Sequence, residues 1–303
     1  MNVATNAMSE TFESQVIATA KISVARRMYW ALRRELWENR YLYWAPLAVG
    51  GVTLFGFLIA TIGRAMAVPS LAQRLAVLEE PYTFVALLIM GTIFIVGIFY
   101  SLEALHGERR DRSILFWKSL PVSDLITVLA KACIPLLFLP LLGFAITIVA
   151  QFVMLLLSSV VVLGSGLSIS SLWAHVSLFR TSLMLLYHIF TVHVLWSAPI
   201  YGWLLLVSAW ARRAPIMWAA LPPFAIGALE KIAFNTTHFA AMLQHRLEGG
   251  PEAITVPGSM PTDPMTQLTP LRFLSSPGLW IGLGIFAAFL IATVRLRRYR
   301  GPI

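Results

Sequence analysis

The chain has 303 residues, 58% of them hydrophobic and only 12% charged, with a mean hydropathy of +0.76. Soluble domains carry about twice that charge, so a wholly water-exposed globule is excluded and lipid is the expected solvent. The formal net charge of +9 then reads first as an orientation signal across a bilayer, and nucleic acid is not an expected partner.

Residues 1–20 form a polar tail that includes Glu10 and Glu13 and lacks the apolar core of a cleavable signal peptide. From Lys21 to Trp44 the sequence reads KISVARRMYWALRRELWENRYLYW. Arg26, Arg33 and Arg40 recur every seven residues beside Arg27 and Arg34, while Met28, Leu32 and Leu36 recur every four on another face. This pattern predicts an amphipathic helix lying in the membrane interface over 21–42, either a plain anchor or an elbow that transmits movement.

A membrane helix needs about 20 mostly apolar residues. Six segments qualify: 43–62, 82–102, 134–162, 183–210, 214–234 and 277–294. The fifth carries Pro222-Pro223, which predicts a kink or break, and Glu230-Lys231 near its end, expected as an outer salt bridge, an interface anchor or an outer gate. With the N-terminus placed inside, most of the 23 basic residues fall on the inner side, including Arg109, Arg110, Arg112, Lys118, Lys131, Arg212, Arg213, Arg297 and Arg298. Both termini are therefore expected in the cytoplasm. Segments 63–81 and 163–180 are expected as modest outer loops, and 235–276 as the longest, a small external cap beginning with a short amphipathic helix.

Catalytic and metal-binding patterns are missing from the sequence. It has no phosphate-cradling Gly-rich loop with a following Lys, no His-Glu-x-x-His run and no Gly-x-Ser-x-Gly elbow. The single cysteine, Cys133, cannot form an internal disulfide or a multi-cysteine metal site. His188 and His193, on an α-helix, stand about 140° apart and would not share a metal. No catalytic residue, metal or cofactor is expected in this chain. Small residues at Gly278, Gly282, Gly284 and Ala288 predict a close helix approach in the last span.

The segment between spans two and three is different. HGERRDRSILFWKSLPVSD, His106 to Asp124, is densely charged around an apolar centre. Glu108 and Arg109 should continue the second span, and 113–120 should form two helical turns tipped by Phe116, Trp117 and Leu120. Pro121 should stop that helix. Ser123 and Asp124 should then cap the next one. The apolar tip suits either a partner's pocket or the lipid headgroups.

Residues Leu105 to Lys131, with Gly107-Glu108-Arg109, then Leu120-Pro121-Val122-Ser123 and the downstream Lys131, resemble the cytoplasmic loop of ABC-2-type transporter permeases. The layout of an interfacial helix, six spans and a long outer segment before the last span is similar too. The resemblance implies an all-α integral membrane fold in one domain over 21–300, with 301–303 as a short end, and residence in a bacterial inner membrane. It implies an exporter subunit that dimerises with an identical or related permease and binds two copies of a separate ABC ATPase, which holds the ATP and Mg. Ser113, Ile114, Leu115, Phe116, Trp117, Lys118 and Leu120 would form the coupling helix, with Arg212 and Arg213 as a smaller contact. Glu108, Arg109 and Arg110 would brace the loop of 103–131, and Arg26, Arg27, Arg33 and Arg34 would belong to the elbow helix. A stand-alone membrane transporter or a membrane scaffold is the alternative. The uncharged spans fit an amphipathic or lipid-like cargo.

Overall fold

The computed structural model describes residues 23–67, 71–119, 122–164, 178–249 and 270–301, of which 60–67, 71–80 and 161–164 are described by their backbone alone. Every regular element among them is a helix. Six helices are long and apolar enough to cross a membrane.

The first helix, α1 (Val24–Glu38), starts where the Ser23 side chain accepts a hydrogen bond from the Arg26 amide, and ends at Asn39. It leads into α2 (Tyr41–Ala67) and α3 (Leu71–Glu103). These two extend well into the segment expected as an outer loop over 63–81: hydropathy marks the membrane-embedded stretch of a helix, not its protruding end. A two-residue turn at Ala104 and Leu105 separates α3 from α4 (His106–Arg110), and α5 (Ser113–Ser119) follows.

Ser123 then caps α6 (Asp124–Cys133), its side chain accepting from the Ile126 amide at 3.3 Å. A π-helical stretch (Ile134–Phe138) joins α6 to α7 (Leu139–Gly164). Pro135 sits at its start; lacking an N–H, proline cannot continue an α-helical ladder. The fourth crossing has a similar irregularity. Helix α8 (Leu178–His188) passes through a π-helical stretch (Ile189–Trp196), bends at Ser197 and continues as α9 (Ala198–Trp210).

Helix α10 (Pro215–Phe234) runs unbroken through Pro222 and Pro223, so the expected break does not occur. One of the carbonyls that these prolines leave free, that of Ala219, accepts instead from the Trp203 indole of α9 at 3.0 Å. Short helices α11 (His238–Leu247) and α12 (Pro270–Ser275) precede the last crossing, α13 (Pro277–Tyr299).

The core has two larger parts that meet on α3, and a small third one of Trp196, Phe273 and Leu279. Leu42 and Phe57 of α2, Val85, Ile89 and Ile93 of α3, and Met154 and Leu155 of α7 form the larger cluster. Tyr201, Leu204 and Val207 of α9 pack with Leu102 of α3 and Phe286 of α13 in the second. Helix α13 packs closely on α9 at Gly202, where a Cβ would lie 2.7 Å from the Phe286 ring. Within the chain, the small residues of the last span meet side chains: a Cβ on Gly278 would lie 3.3 Å from the Trp196 ring. Gly284 faces open space, and Gly282 faces an arginine side chain rather than a helix backbone.

Candidate functional site

Both ends of the bundle carry polar constructions, and the larger lies at the end that gathers α1, α4, α5, the start of α6, the 211–214 turn and the end of α13. Six charged side chains from four of these elements form one network there. Glu35 of α1 receives Lys131 Nζ at 2.8 Å, Arg34 Nη2 at 2.6 Å and the Tyr100 hydroxyl at 2.8 Å. Glu108 of α4 receives Arg34 at 2.9 Å and Lys131 at 3.1 Å on one carboxylate oxygen, and Arg297 on the other. Arg297 also reaches Asp124 at 3.1 Å.

Glu35 and Lys131 are each 2% exposed, so their charges are removed from water and depend on one another. Three carboxylates meet three cations in this set, and a fourth carboxylate, the exposed Glu38, lies 3.6 Å from Arg34 at its rim. Burial raises the Glu35 pKa, and Lys131 and Arg34 more than offset this, holding its carboxyl below the usual carboxylate range. The network ties α1, α4, α6 and α13 together.

A second set of bonds fixes the turn between α3 and α4. The buried Ser208 hydroxyl of α9 accepts from the amides of Leu105 (3.0 Å) and His106 (2.9 Å). Arg109 donates to the carbonyls of Ala209 (2.8 Å), Ala211 (3.2 Å) and Gly301 (3.3 Å). Lys118 donates to the carbonyls of Arg298 and Arg300, and Arg300 to that of Trp210. The loop, the 211–214 turn and the C-terminal segment therefore form one ledge.

On this ledge α5 has two sides. Ile114 is 1% exposed and belongs to the interior, so this residue of the expected docking set is a root and not a contact. Leu115 and Phe116 are 59% and 60% exposed. Trp117, expected at the tip beside Phe116, is instead half-buried beneath Arg34, whose guanidinium carbon lies 3.9 Å from its ring centroid. The attraction of a cation to an aromatic face explains the inward turn. The exposed apolar pair is thus Leu115 and Phe116. Ser113 donates to the Glu108 carbonyl, and Lys118 is exposed. Leu120 lies outside the described residues. Arg212 and Arg213 are exposed on the neighbouring turn. Of the expected braces, Glu108 and Arg109 are buried, whereas Arg110 is exposed and pairs with Glu103 (2.8 Å) and Asp111 (3.2 Å).

The elbow arginines divide similarly. Arg34 enters the network, Arg27 is half-buried, and Arg26 and Arg33 are exposed.

At the opposite end, Arg246 of α11 reaches into the bundle. It donates to the carbonyls of Trp196 (3.0 Å) and Gly278 (2.9 Å), and its guanidinium carbon lies 4.1 Å from the Trp196 ring centroid. A Cβ on Gly282 would come within 2.6 Å of this guanidinium. Glu230 accepts from Thr236 (2.7 Å) and from the amides of His238 (2.7 Å) and Phe239 (2.8 Å). It thus fastens the start of α11 to α10. Lys231 contributes its carbonyl to the Asn235 amide at the helix end. Much of the expected cap, 250–269, lies outside the described residues.

Sequence reading missed Glu35, Tyr100, Lys131, Ser208 and Arg297 as one assembly. It placed span ends at hydropathy boundaries, and the helices carry Lys131 and Arg297 inward from just beyond those boundaries. Glu35 gave one legible sign: it falls on the Met28–Leu32–Leu36 face of α1, where a charge needs a partner. The two histidines were placed on α-helical geometry. The π-helical stretch from Ile189 to Trp196 closes bonds over five residues, so a separation of five no longer sets them on different faces. His188 Nδ1 pairs with the Met184 carbonyl at 3.0 Å. No group of three potential ligands that could hold a metal occurs among the described residues.

Comparison of the chain with protein-family models, with curated proteins and with solved structures finds no match.

Proposed function

We propose that this chain is the membrane-spanning permease subunit of an ATP-driven exporter of the ABC-2 type. The ATPase is then a separate chain, present in two copies, that supplies ATP and Mg chemistry from the cytoplasm. The observation that carries this reading is the exposed Leu115–Phe116 pair on a short helix rooted in a buried ion network. Large apolar side chains clustered on a rigid support are suited to fill a partner's pocket.

On this reading the end bearing α5 is cytoplasmic, and the protein resides in a bacterial inner membrane. Leu115 and Phe116 enter the ATPase, and Arg212 and Arg213 supply a smaller charged contact. Movement of the ATPases pulls α5; Glu108 carries that movement to α1 through Arg34, to α6 through Lys131 and to α13 through Arg297. A docked partner shifts the bundle between states only through contacts that differ between them, and these buried ion pairs are the contacts able to differ. A second permease chain, identical or related, completes the pathway. The uncharged interior of the spans suits an amphipathic or lipid-like cargo.

Tagged purification in mild detergent tests this. A stoichiometric ATP-hydrolysing partner is expected with the wild type and is lost when Leu115 and Phe116 are both changed to Ala. A folded chain that purifies alone and without ATPase activity contradicts it.

A further inference from the structure

The face of α1 turned away from the ion network carries an ordered pattern of its own. Arg26, Trp30, Arg33, Trp37, Arg40 and Trp44 alternate at steps of four and three residues. At about 100° per residue, the first four lie about 140–180° around the helix from Glu35. All six are exposed. Arg33 lies between two of the tryptophans, its guanidinium carbon 5.2 Å from the ring centroid of Trp30 and 5.2 Å from that of Trp37. Among the described residues, no carboxylate stands within ion-pair distance of Arg26, Arg33 or Arg40, whereas Arg34 on the inner side has three such partners.

We propose that this stripe binds the headgroups of acidic phospholipids. Its chemistry matches that layer. Tryptophan rings settle at the membrane interface, and arginines there attract anionic lipid. The stripe also continues into the first turn of α2, a span in its own right, so it stands at the height where that helix enters the bilayer. Each arginine can pair with a lipid phosphate while the neighbouring tryptophans lie against glycerol and the upper acyl chain. The inner face of α1 holds the network, so acidic lipid on the outer face favours the seated position of the helix. The proposal rests on the membrane-spanning reading but needs no ATPase partner.

The test uses the full chain reconstituted in phosphatidylcholine vesicles, probed with trace spin-labelled phosphatidylglycerol or phosphatidylcholine. The wild type is expected to immobilise phosphatidylglycerol preferentially. The preference should fall about fivefold for each stripe arginine removed, nearly vanishing in Arg26→Gln/Arg33→Gln/Arg40→Gln. It should persist in Arg212→Gln/Arg213→Gln and weaken in the wild type as salt rises to about 1 M. If the triple variant does not reconstitute, Arg33→Gln and the salt series decide. Equal immobilisation of both lipids by the wild type overturns the proposal, as does an unchanged preference in the stripe variants or loss only in the Arg212/Arg213 control. Failure of the wild-type chain to enter vesicles at all would instead overturn the membrane-spanning reading.

Discussion

Lys131 neutralises two buried carboxylates at once, Glu35 and Glu108. Removing one partner of a buried ion pair leaves the other charge uncompensated, at a cost of about 3–5 kcal/mol. Lys131→Met should therefore lower the thermal unfolding midpoint in detergent far more than Arg110→Met, whose ion pairs are exposed; equal effects would remove the network from the account. Acid should act on the same place. The native Glu35 carboxyl is held below its ordinary value of 4.5, so its stabilising contribution is complete above that pH. It is lost as pH falls below 4.5 through the native value. Glu35→Gln should accordingly reduce stability at neutral pH and flatten its dependence on pH in that acidic window, as followed by tryptophan fluorescence. Apart from the adjacent Arg34 and Glu35, the paired residues are far apart in sequence, which is why the network was not legible there. Only the topology brings residues 35, 108, 131 and 297 to one end. The exposure of individual apolar residues was equally hidden, since Phe116 and Trp117 are adjacent and only Trp117 has Arg34 above it.

At the scale of elements, α11 is fastened by Glu230 at its start and by Arg246 near its end. Gly282→Ala places a methyl group where the Arg246 guanidinium lies. The arginine is the far end of a flexible side chain, so it should leave while the bundle stays folded, losing hydrogen bonds worth about 1.5–3 kcal/mol each. Amide hydrogen exchange over 238–247 should then accelerate, with exchange around Lys131 unchanged; an unaltered rate over 238–247 would mean that Arg246 does not hold this helix. The short α5 offers a contrast between neighbours. Trp117→Ala should loosen α1 by removing the surface on which Arg34 rests, whereas Phe116→Ala should leave α1 intact and affect only what docks from outside. The crossings themselves were legible because about 20 apolar residues announce each one. The π-helical stretches were not, because hydrogen-bond register leaves no mark on hydropathy. In α10 two prolines in succession are carried without a break.

For the whole molecule, six apolar crossings place a buried ionic knot and an exposed apolar tip at one end and an arginine clasp at the other. On the proposed reading the tip, which is exposed, meets the partner, and the knot, whose Glu35 and Lys131 are buried, relays its movement. The most direct measurement is photo-crosslinking in intact cells from a light-activated residue at position 116, compared with one at position 224 on the outward face of α10. Position 116 should yield one adduct containing a soluble ATP-hydrolysing chain, and position 224 should not. Adducts with lipid alone from both positions would contradict docking at α5 and return Phe116 to the headgroup layer.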